Sequence, residues 1–300
     1  MTRIQKMADH IPIISSLSEL SSDFDAFIID LWGVIHDGVT LYPKVIDCLQ
    51  KIHKTGKPYA MLTNAPRRAD AVRASMNQMG MPEYLCPIIM SSGEATRLGL
   101  EEMREEWFLG VRKTYLHIGP ARDDGLLDNL EFEMVNIVGD AGLIVNTGPW
   151  GDEETVSDYE HILKEGANAK IKMVCANPDL EVIRGGRRII CAGALAKRYE
   201  QLGGDVLYYG KPHKPIYDSC LHKMGSPNLN RVLAIGDSLR TDISGAKNLN
   251  IKSLLVIGGI HGEEFGLAAG DISTDAGRHI ANVCTKKGVC PDVAIHHLCW

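Results

Sequence analysis

Three hundred residues, 45% apolar and 23% charged, suffice for two domains or one large one with a sizeable core, as in ordinary soluble globular chains. A net charge of -6 excludes a broad electrostatic footprint for nucleic acid or an anionic membrane, while local basic residues could still hold a small phosphorylated ligand. No apolar run approaches bilayer length and residues 1–14 lack the apolar core of a signal peptide, so the expected location is cytoplasmic. Eight cysteines without a CxxC suit reduced, buried thiols. Cys284, Cys290, Cys299 and the pair His296-His297 are spaced too irregularly for a metal site and read as core or surface residues.

In chain order, Leu17, Leu20 and Phe24 fall at near-helical spacing and predict a short helix over 15–25. Phe27-Ile28-Ile29 is an unbroken apolar run of the kind a strand buried on both faces of a parallel sheet requires. Asp30 then falls at that strand's carboxyl end, where open α/β sheets bind their ligands. His36-Asp37-Gly38 signals a turn, and Pro43 opens a helix whose Val45, Ile46, Leu49 and Ile52 share one face until Gly56 stops it. Strand 58–62 completes a βαβ unit and runs into Thr63-Asn64; a helix over 66–80 follows.

A second alternation begins near residue 88: strand 88–90, helix 91–106, strands 113–118 and 143–146, helix 153–165 and strand 171–175. That is enough for a separate α/β domain over 87–203, inserted into an outer domain made of 1–86 and 204–300. Within it, Gly185-Gly186-Arg187-Arg188 reads as a hairpin turn. Asn146-Thr147-Gly148-Pro149-Trp150 divides evenly between a substrate-facing role and a plain turn. Helix 192–202 returns the chain, strand 206–209 delivers Lys211, and strand 231–235, helix 240–249 and strand 252–257 complete the outer domain. His261, after Gly258-Gly259, is as well placed for a surface loop as for an approach to the site.

Three of these strands share one form, an apolar run ending in polar residues. Together they could bring Asp30, the hydroxyl of Thr63, Asp237 and Asp242 to one sheet edge, with Lys211 as a cation. This set, in this order, resembles the four motifs of the haloacid dehalogenase (HAD) phosphohydrolase superfamily. The wording DLWGVIHDG, LTNAPRR, GKPHKPIYD and IGDSLRTDISGA, with a long insert between the second and third, is similar to its class IIA branch of NagD-like and p-nitrophenyl-phosphatase-like proteins. Cys175-Ala176-Asn177-Pro178-Asp179 resembles the TNPD segment near the end of class IIA caps, so the likeness covers nearly the whole chain. It implies an α/β fold: a Rossmann-like HAD core with a parallel sheet, plus an inserted α/β cap domain of the C2 type.

The resemblance also implies an activity, Mg²⁺-dependent hydrolysis of a small phosphorylated metabolite, with neither nucleic acid nor membrane as partner. A phosphate monoester dianion repels nucleophiles, so the enzyme must neutralise charge, hold phosphorus in line and protonate the leaving oxygen. By resemblance Mg²⁺ takes Asp30, the backbone carbonyl of Trp32 and Asp237, with Asp242 binding the ion or orienting its waters. Asp30 is the nucleophile, Lys211 holds it ionised and balances charge, and Thr63 with the backbone N–H of Asn64 binds phosphate oxygens. Each residue alone could merely cap a turn or face solvent; four motifs in the required order argue otherwise.

One position departs from the pattern. The superfamily has Asp-x-Asp-Gly, with the second Asp as general acid/base, and here Trp32 stands in its place. An indole N–H is a donor only, so the usual proton donor is missing, a loss worth about 10²- to 10⁴-fold on poor leaving groups. His36 and Asp37 are the nearest titratable substitutes, although a turn is the simpler reading of both. Phosphonoacetaldehyde hydrolases also lack this Asp and use a cap lysine, but nothing in the sequence marks Lys113, Lys164, Lys170 or Lys172 for such a role. Arg67-Arg68 reads first as a solvated helix start. The competing reading is a catalytically weakened HAD-like protein that binds a phosphorylated ligand without efficient turnover. A dinucleotide-binding fold fits the alternation but no GxGxxG follows the first strand. Substrate identity and oligomeric state stay open, a homo-oligomer included.

Overall fold

The computed structural model describes residues 9–184, 187–258, 265–267 and 270–300, so His261 and the Gly185-Gly186 turn lie outside it. The chain forms two compact units: Met1–Thr63, Arg73–Ile89 and Cys220–Trp300 make the first, Asn64–Val72 and Met90–Ser219 the second.

The first unit is built on β1 (Ile13–Ile14), β2 (Ala26–Asp30), β3 (Tyr59–Thr63), β12 (Val232–Gly236), β13 (Lys252–Val256) and β14 (Val293–Ile295). They lie side by side in the order β1-β14-β13-β12-β2-β3, all parallel, and β4 (Ile89–Ser91) forms the far edge. Every residue of β2, β3 and β12 is buried, which is why their sequences are apolar runs without alternation. Register pairs Ile29 with both Met61 and Ile235, and Asp30 with Leu62, so Asp30, Thr63 and Asp237 emerge at the same edge. The chain steps from β2 to β3 in one direction and later from β12 to β13 and β14 in the other. The β2/β12 boundary is therefore a topological switch point, and its carboxyl side is the place for a ligand.

Helix α1 (Val45–Lys54) packs on this sheet through Val45, Cys48, Leu49 and Ile52, all buried. Asp47 in its first turn and Lys51, His53 and Lys54 in its last complement the helix dipole. The predicted helix over 15–25 is instead two 3₁₀ turns, Leu17–Glu19 and Ser21–Asp23. Ser16 and Glu19 close a capping box there, and serines on either side bond locally instead of letting a helix propagate. The predicted helix over 240–249 begins as a π turn, Leu239–Ile243, and continues as α7 (Ser244–Asn248).

Sequence reading also passed over α6 (Lys214–Lys223), the long C-terminal helix α8 (Thr274–Lys287) and β14. Ile280, Ala281 and Cys284 of α8 join Leu255, Ala294, Leu239 and Ile11 in one apolar cluster. Cys284 is thus a core residue; Cys299 donates to the Ser15 carbonyl, and the cysteines are free thiols.

The second unit has its own parallel sheet of β5 (Thr114–Ile118), β6 (Glu133–Val135), β7 (Leu143–Asn146), β8 (Lys172–Cys175) and β11 (Val206–Tyr208). Its order is β11-β8-β7-β5-β6. Helices α4 (Glu160–Asn168) and α5 (Ala192–Gln201) cover one face, burying Tyr159, Leu163, Leu195 and Tyr199 against Ile144 and Met173. Strand β11 pairs with β8 in this sheet, past the expected outer-domain start at residue 204, because Val206, Leu207 and Tyr208 find parallel partners in Met173, Val174 and Cys175. An antiparallel pair, β9 (Glu181–Arg184) and β10 (Arg187–Ile190), flanks the Gly185-Gly186 position. No helix of the described residues is long and apolar enough to cross a membrane.

Leu49 is fully buried on α1. Leu49→Ala is expected to lower stability by about 3 kcal/mol, read as a shift of the urea midpoint at unchanged slope. A loss below about 1 kcal/mol would mean that this face is not packed as described.

Candidate active site

Asp30 ends β2, and Asp237 and Asp242 follow β12. Their carboxylates converge, offering ligand oxygens that lie within 4.8 Å of one another, and all three residues are buried. Gly33 makes this approach possible. Its φ of +81° suits glycine, and a Cβ there would sit 2.0 Å from an Asp237 oxygen. Asp242 is oriented by its own loop, its Oδ2 accepting from the Ser238 N–H at 3.2 Å and the Thr241 hydroxyl at 3.4 Å. Thr63, buried, ends the neighbouring strand one residue beyond the partner of Asp30. Three clustered oxygen donors are the chemistry of a hard divalent cation, and cis ligands of an octahedral ion lie about 3 Å apart, so this set fits one with modest adjustment.

Between Asp30 and α1 the chain folds around the Leu31 carbonyl, which accepts the N–H groups of Ile35 at 2.8 Å and His36 at 3.1 Å. The Trp32 ring meets His36 edge-on, centroids 5.5 Å apart, and covers Gly38, where a Cβ would lie 2.1 Å from the indole. Its Nε1 is buried with no hydrogen-bond partner among the described residues.

The two groups nearest to Trp32 are otherwise engaged. His36 Nδ1 accepts the Gly38 N–H at 2.9 Å, and burial pushes the imidazole down to about 4, so it is neutral at pH 7. Asp37 accepts the N–H groups of Thr40 at 2.7 Å and Val39 at 2.9 Å, bonds that hold its carboxyl below the usual range. Neither carries an acidic proton near neutral pH. They form the turn that the sequence suggests.

Tyr42, which no motif marks, was missed by sequence reasoning. Burial and the negative charges of Asp37 and Asp237 raise its phenol above the ordinary value, so it stays a hydroxyl donor within electrostatic reach of the carboxylate cluster.

In the second unit, Lys211 is buried beyond β11. Its N–H donates to Asn64 Oδ1 at 2.7 Å, and its carbonyl accepts from Asn64 Nδ2 at 3.1 Å. The structure thus brings Asp30, Asp237 and Asp242 together in one unit, and Asn64 and Lys211 together in the other. At the end of β7, Asn146 bonds the Ala192 carbonyl at α5, and Thr147 Oγ1 lies 2.9 Å from His117 Nε2, whose Nδ1 faces Asp124 at 2.9 Å. The Trp150 ring lies tilted against Tyr159, centroids 4.7 Å apart. Arg68 pairs with Glu94 at 2.8 Å, Lys113 with Glu131 at 2.9 Å and Lys164 with Glu160 at 3.0 Å, while Lys172 lies over the Trp107 ring.

Residues 27–133 match the model of a haloacid dehalogenase-like hydrolase family, and residues 208–282 match a second HAD-hydrolase-like model. A crystal structure of a haloacid dehalogenase-like hydrolase from Brucella suis is similar with a TM-score of 0.78 and 34% identity, over 95% of this chain and 100% of that one. Among curated proteins, the ribonucleotide monophosphatase NagD of Escherichia coli is 26% identical over 236 residues, 78% of this chain and 87% of NagD. Phosphoglycolate phosphatase 2 of Arabidopsis thaliana is 26% identical over 290 residues, 86% of this chain and 90% of its own length. With the carboxylates of Asp30, Asp237 and Asp242 gathered at the switch point of a parallel sheet, and with this likeness running the length of the chain, it belongs to the haloacid dehalogenase-like hydrolases, in their NagD-like class IIA branch.

Proposed function

We propose that this enzyme is a Mg²⁺-dependent phosphatase of small phosphorylated metabolites that works through an aspartyl-phosphate on Asp30. The observation that carries the reading is the cluster of Asp30, Asp237 and Asp242 at the carboxyl edge of β2 and β12, one strand from Thr63. The relatives named above as ribonucleotide monophosphatase and phosphoglycolate phosphatase act, by those names, on phosphate esters of small molecules. In this reading the enzyme is cytoplasmic and needs neither nucleic acid nor membrane as partner. Residues 87–203, with β11 added by the sheet they pair in, serve as the cap that recognises the leaving group.

A carboxylate oxygen of Asp30 attacks phosphorus as the bond to the ester oxygen breaks, and water later attacks the same phosphorus to free Asp30 and inorganic phosphate. Thr63 and the Asn64 N–H hold phosphate oxygens, and Lys211 balances the charge that the equatorial oxygens carry in the transition state. Asp30, the Trp32 carbonyl and Asp237, with Asp242 beside them, would hold Mg²⁺, which would supply charge neutralisation. Because the middle ligand is a main-chain atom, Trp32 does not remove it. What Trp32 removes is a titratable carboxyl group, and neither His36 nor Asp37 is protonated to replace it. That observation favours a second reading as well, a phospho-ligand-binding protein with little turnover, and substrate choice separates the two.

Asp30→Asn is expected to reduce metal-dependent hydrolysis of p-nitrophenyl phosphate to background while circular dichroism stays native. Wild-type turnover in that variant would exclude Asp30 as nucleophile.

Removal of divalent metal with EDTA is expected to abolish turnover, and Mg²⁺ alone to restore it. Since the folded state alone gathers the three carboxylates, saturating Mg²⁺ at about 100 times Kd should stabilise the protein by about 2.7 kcal/mol. A melting temperature indifferent to Mg²⁺ would contradict the site.

Trp32→Asp tests the missing acid. An alkoxide needs a proton to leave and a nitrophenolate does not, so the variant is expected to gain about 10²-fold on alkyl phosphates and far less on aryl ones. Melting temperature is measured alongside, because replacing a large packed ring can cost about 3–5 kcal/mol. A folded variant with no preferential gain would show that this position does not limit leaving-group expulsion.

A further inference from the structure

The side chain of Asn64 has a job that its place in the sequence does not suggest. Reading the motif assigns only its backbone N–H, to phosphate. In the structure its carboxamide accepts the Lys211 N–H at 2.7 Å through Oδ1. Through Nδ2 it donates to the Lys211 carbonyl at 3.1 Å and to Asp179 Oδ1 at 3.2 Å. One side chain thus engages both backbone polar groups of a single residue, in a setting where Asn64 is 6% and Lys211 3% exposed.

The surroundings are built for this contact. Asp179 belongs to the Ala176-Asn177-Pro178-Asp179 segment; its N–H is held by Asn177 Oδ1 at 3.0 Å and its carbonyl by the Gly193 N–H at 3.0 Å. Gly210 lets the strands' ends close up, since a Cβ there would lie 2.2 Å from Pro178 and 2.8 Å from Asn64 Oδ1. The chemistry demanded at position 64 is an acceptor on one edge and a donor on the other. Alanine would leave the Lys211 N–H and C=O buried without this partner. Aspartate would turn an oxygen toward two oxygens, those of the Lys211 carbonyl and Asp179.

We propose that Asn64 is a positioning residue: its carboxamide, steadied by Asp179, clamps the backbone of Lys211 and so fixes where the lysine ammonium lies. The proposal rests on Lys211 being the charge-balancing cation of the phosphatase reading. It adds that the residue after Thr63 acts on the lysine loop through its side chain as well as on phosphate through its N–H. A tilt of about 10° in the Lys211 backbone carries an ammonium on a stem of about 6 Å by about 1 Å, and misplacement of that size at a reacting centre costs about 10²-fold.

The test reads Lys211 directly. Folded wild type and Asn64→Ala are treated briefly with acetic anhydride, and acetylation of Lys211 is measured by peptide mass spectrometry relative to the exposed Lys247. Asn64→Asp, which keeps the side-chain volume, is the second variant should alanine fail to fold. Release of the clamp is expected to raise relative labelling of Lys211 about tenfold or more. In parallel, kcat/KM for p-nitrophenyl phosphate is expected to fall about 10²-fold in Asn64→Ala, but by less than about twofold when the change is made in a Lys211→Met background. Unchanged Lys211 labelling in a folded variant, or losses that multiply in the double variant, would overturn the proposal. Wild type without metal-dependent turnover would contradict the phosphatase reading instead, and the labelling result would still decide the clamp.

Discussion

Three carboxylates crowded into a buried corner are the constraint around which the rest of this protein is arranged. Two unit charges 4.8 Å apart repel by about 3.5 kcal/mol at an effective dielectric constant of 20, so three ionised groups would cost on the order of 10 kcal/mol. That is as large as the whole stability of an ordinary domain. A corner that gathers oxygens of Asp30, Asp237 and Asp242 this closely suits a hard cation. Gly33 removes the side chain that would keep Asp237 away, and the Ser238 N–H and Thr241 hydroxyl hold Asp242 in place.

The parallel sheet is the means by which residues 30, 63 and 237 reach one edge. Strands buried on both faces must be apolar throughout, so polar chemistry can begin only where each strand stops, and parallel pairing in register makes neighbouring strands stop together. The order β13-β12-β2-β3 then makes the β12/β2 boundary a topological switch point, beside Asp30. The second unit repeats the architecture on a smaller scale, with Lys211 just beyond its edge strand β11. Trp32 leaves the frame of this edge intact: it packs against His36 and Gly38, at the position where the family resemblance leads one to expect a carboxyl group.

Much of this was legible in the sequence because the information was local. The runs ending at Asp30, Thr63 and Asp237 each announce a buried strand with its chemistry at the end, and their order carries the family. What was illegible depends on contacts between distant residues or on weak local signals. The two-residue strand β1 is too short to carry a pattern, and α8 and β14 follow a stretch rich in glycine and charge. The partner of the Asn64 carboxamide lies 147 residues away, so no spacing rule could find it. Tyr42 sits near Asp237 only because the loop after Trp32 folds back on itself, with the Tyr42 N–H donating to the Ile35 carbonyl. The helix predicted over 15–25 failed for a local reason that sequence does show, a run of serines able to bond their own backbone.

The claim on which everything else turns is that the carboxylate corner holds a divalent ion next to a nucleophilic Asp30. Crystals grown with Mn²⁺ in place of Mg²⁺ and with beryllium fluoride, which mimics a phosphoryl group on a carboxylate, would show both partners at once. The expected result is an anomalous Mn²⁺ peak about 2.1–2.2 Å from oxygens of Asp30, Asp237 and the Trp32 carbonyl, with beryllium bonded to the other Asp30 oxygen. An ion bound away from these carboxylates, or beryllium fluoride carried by another side chain, would contradict it.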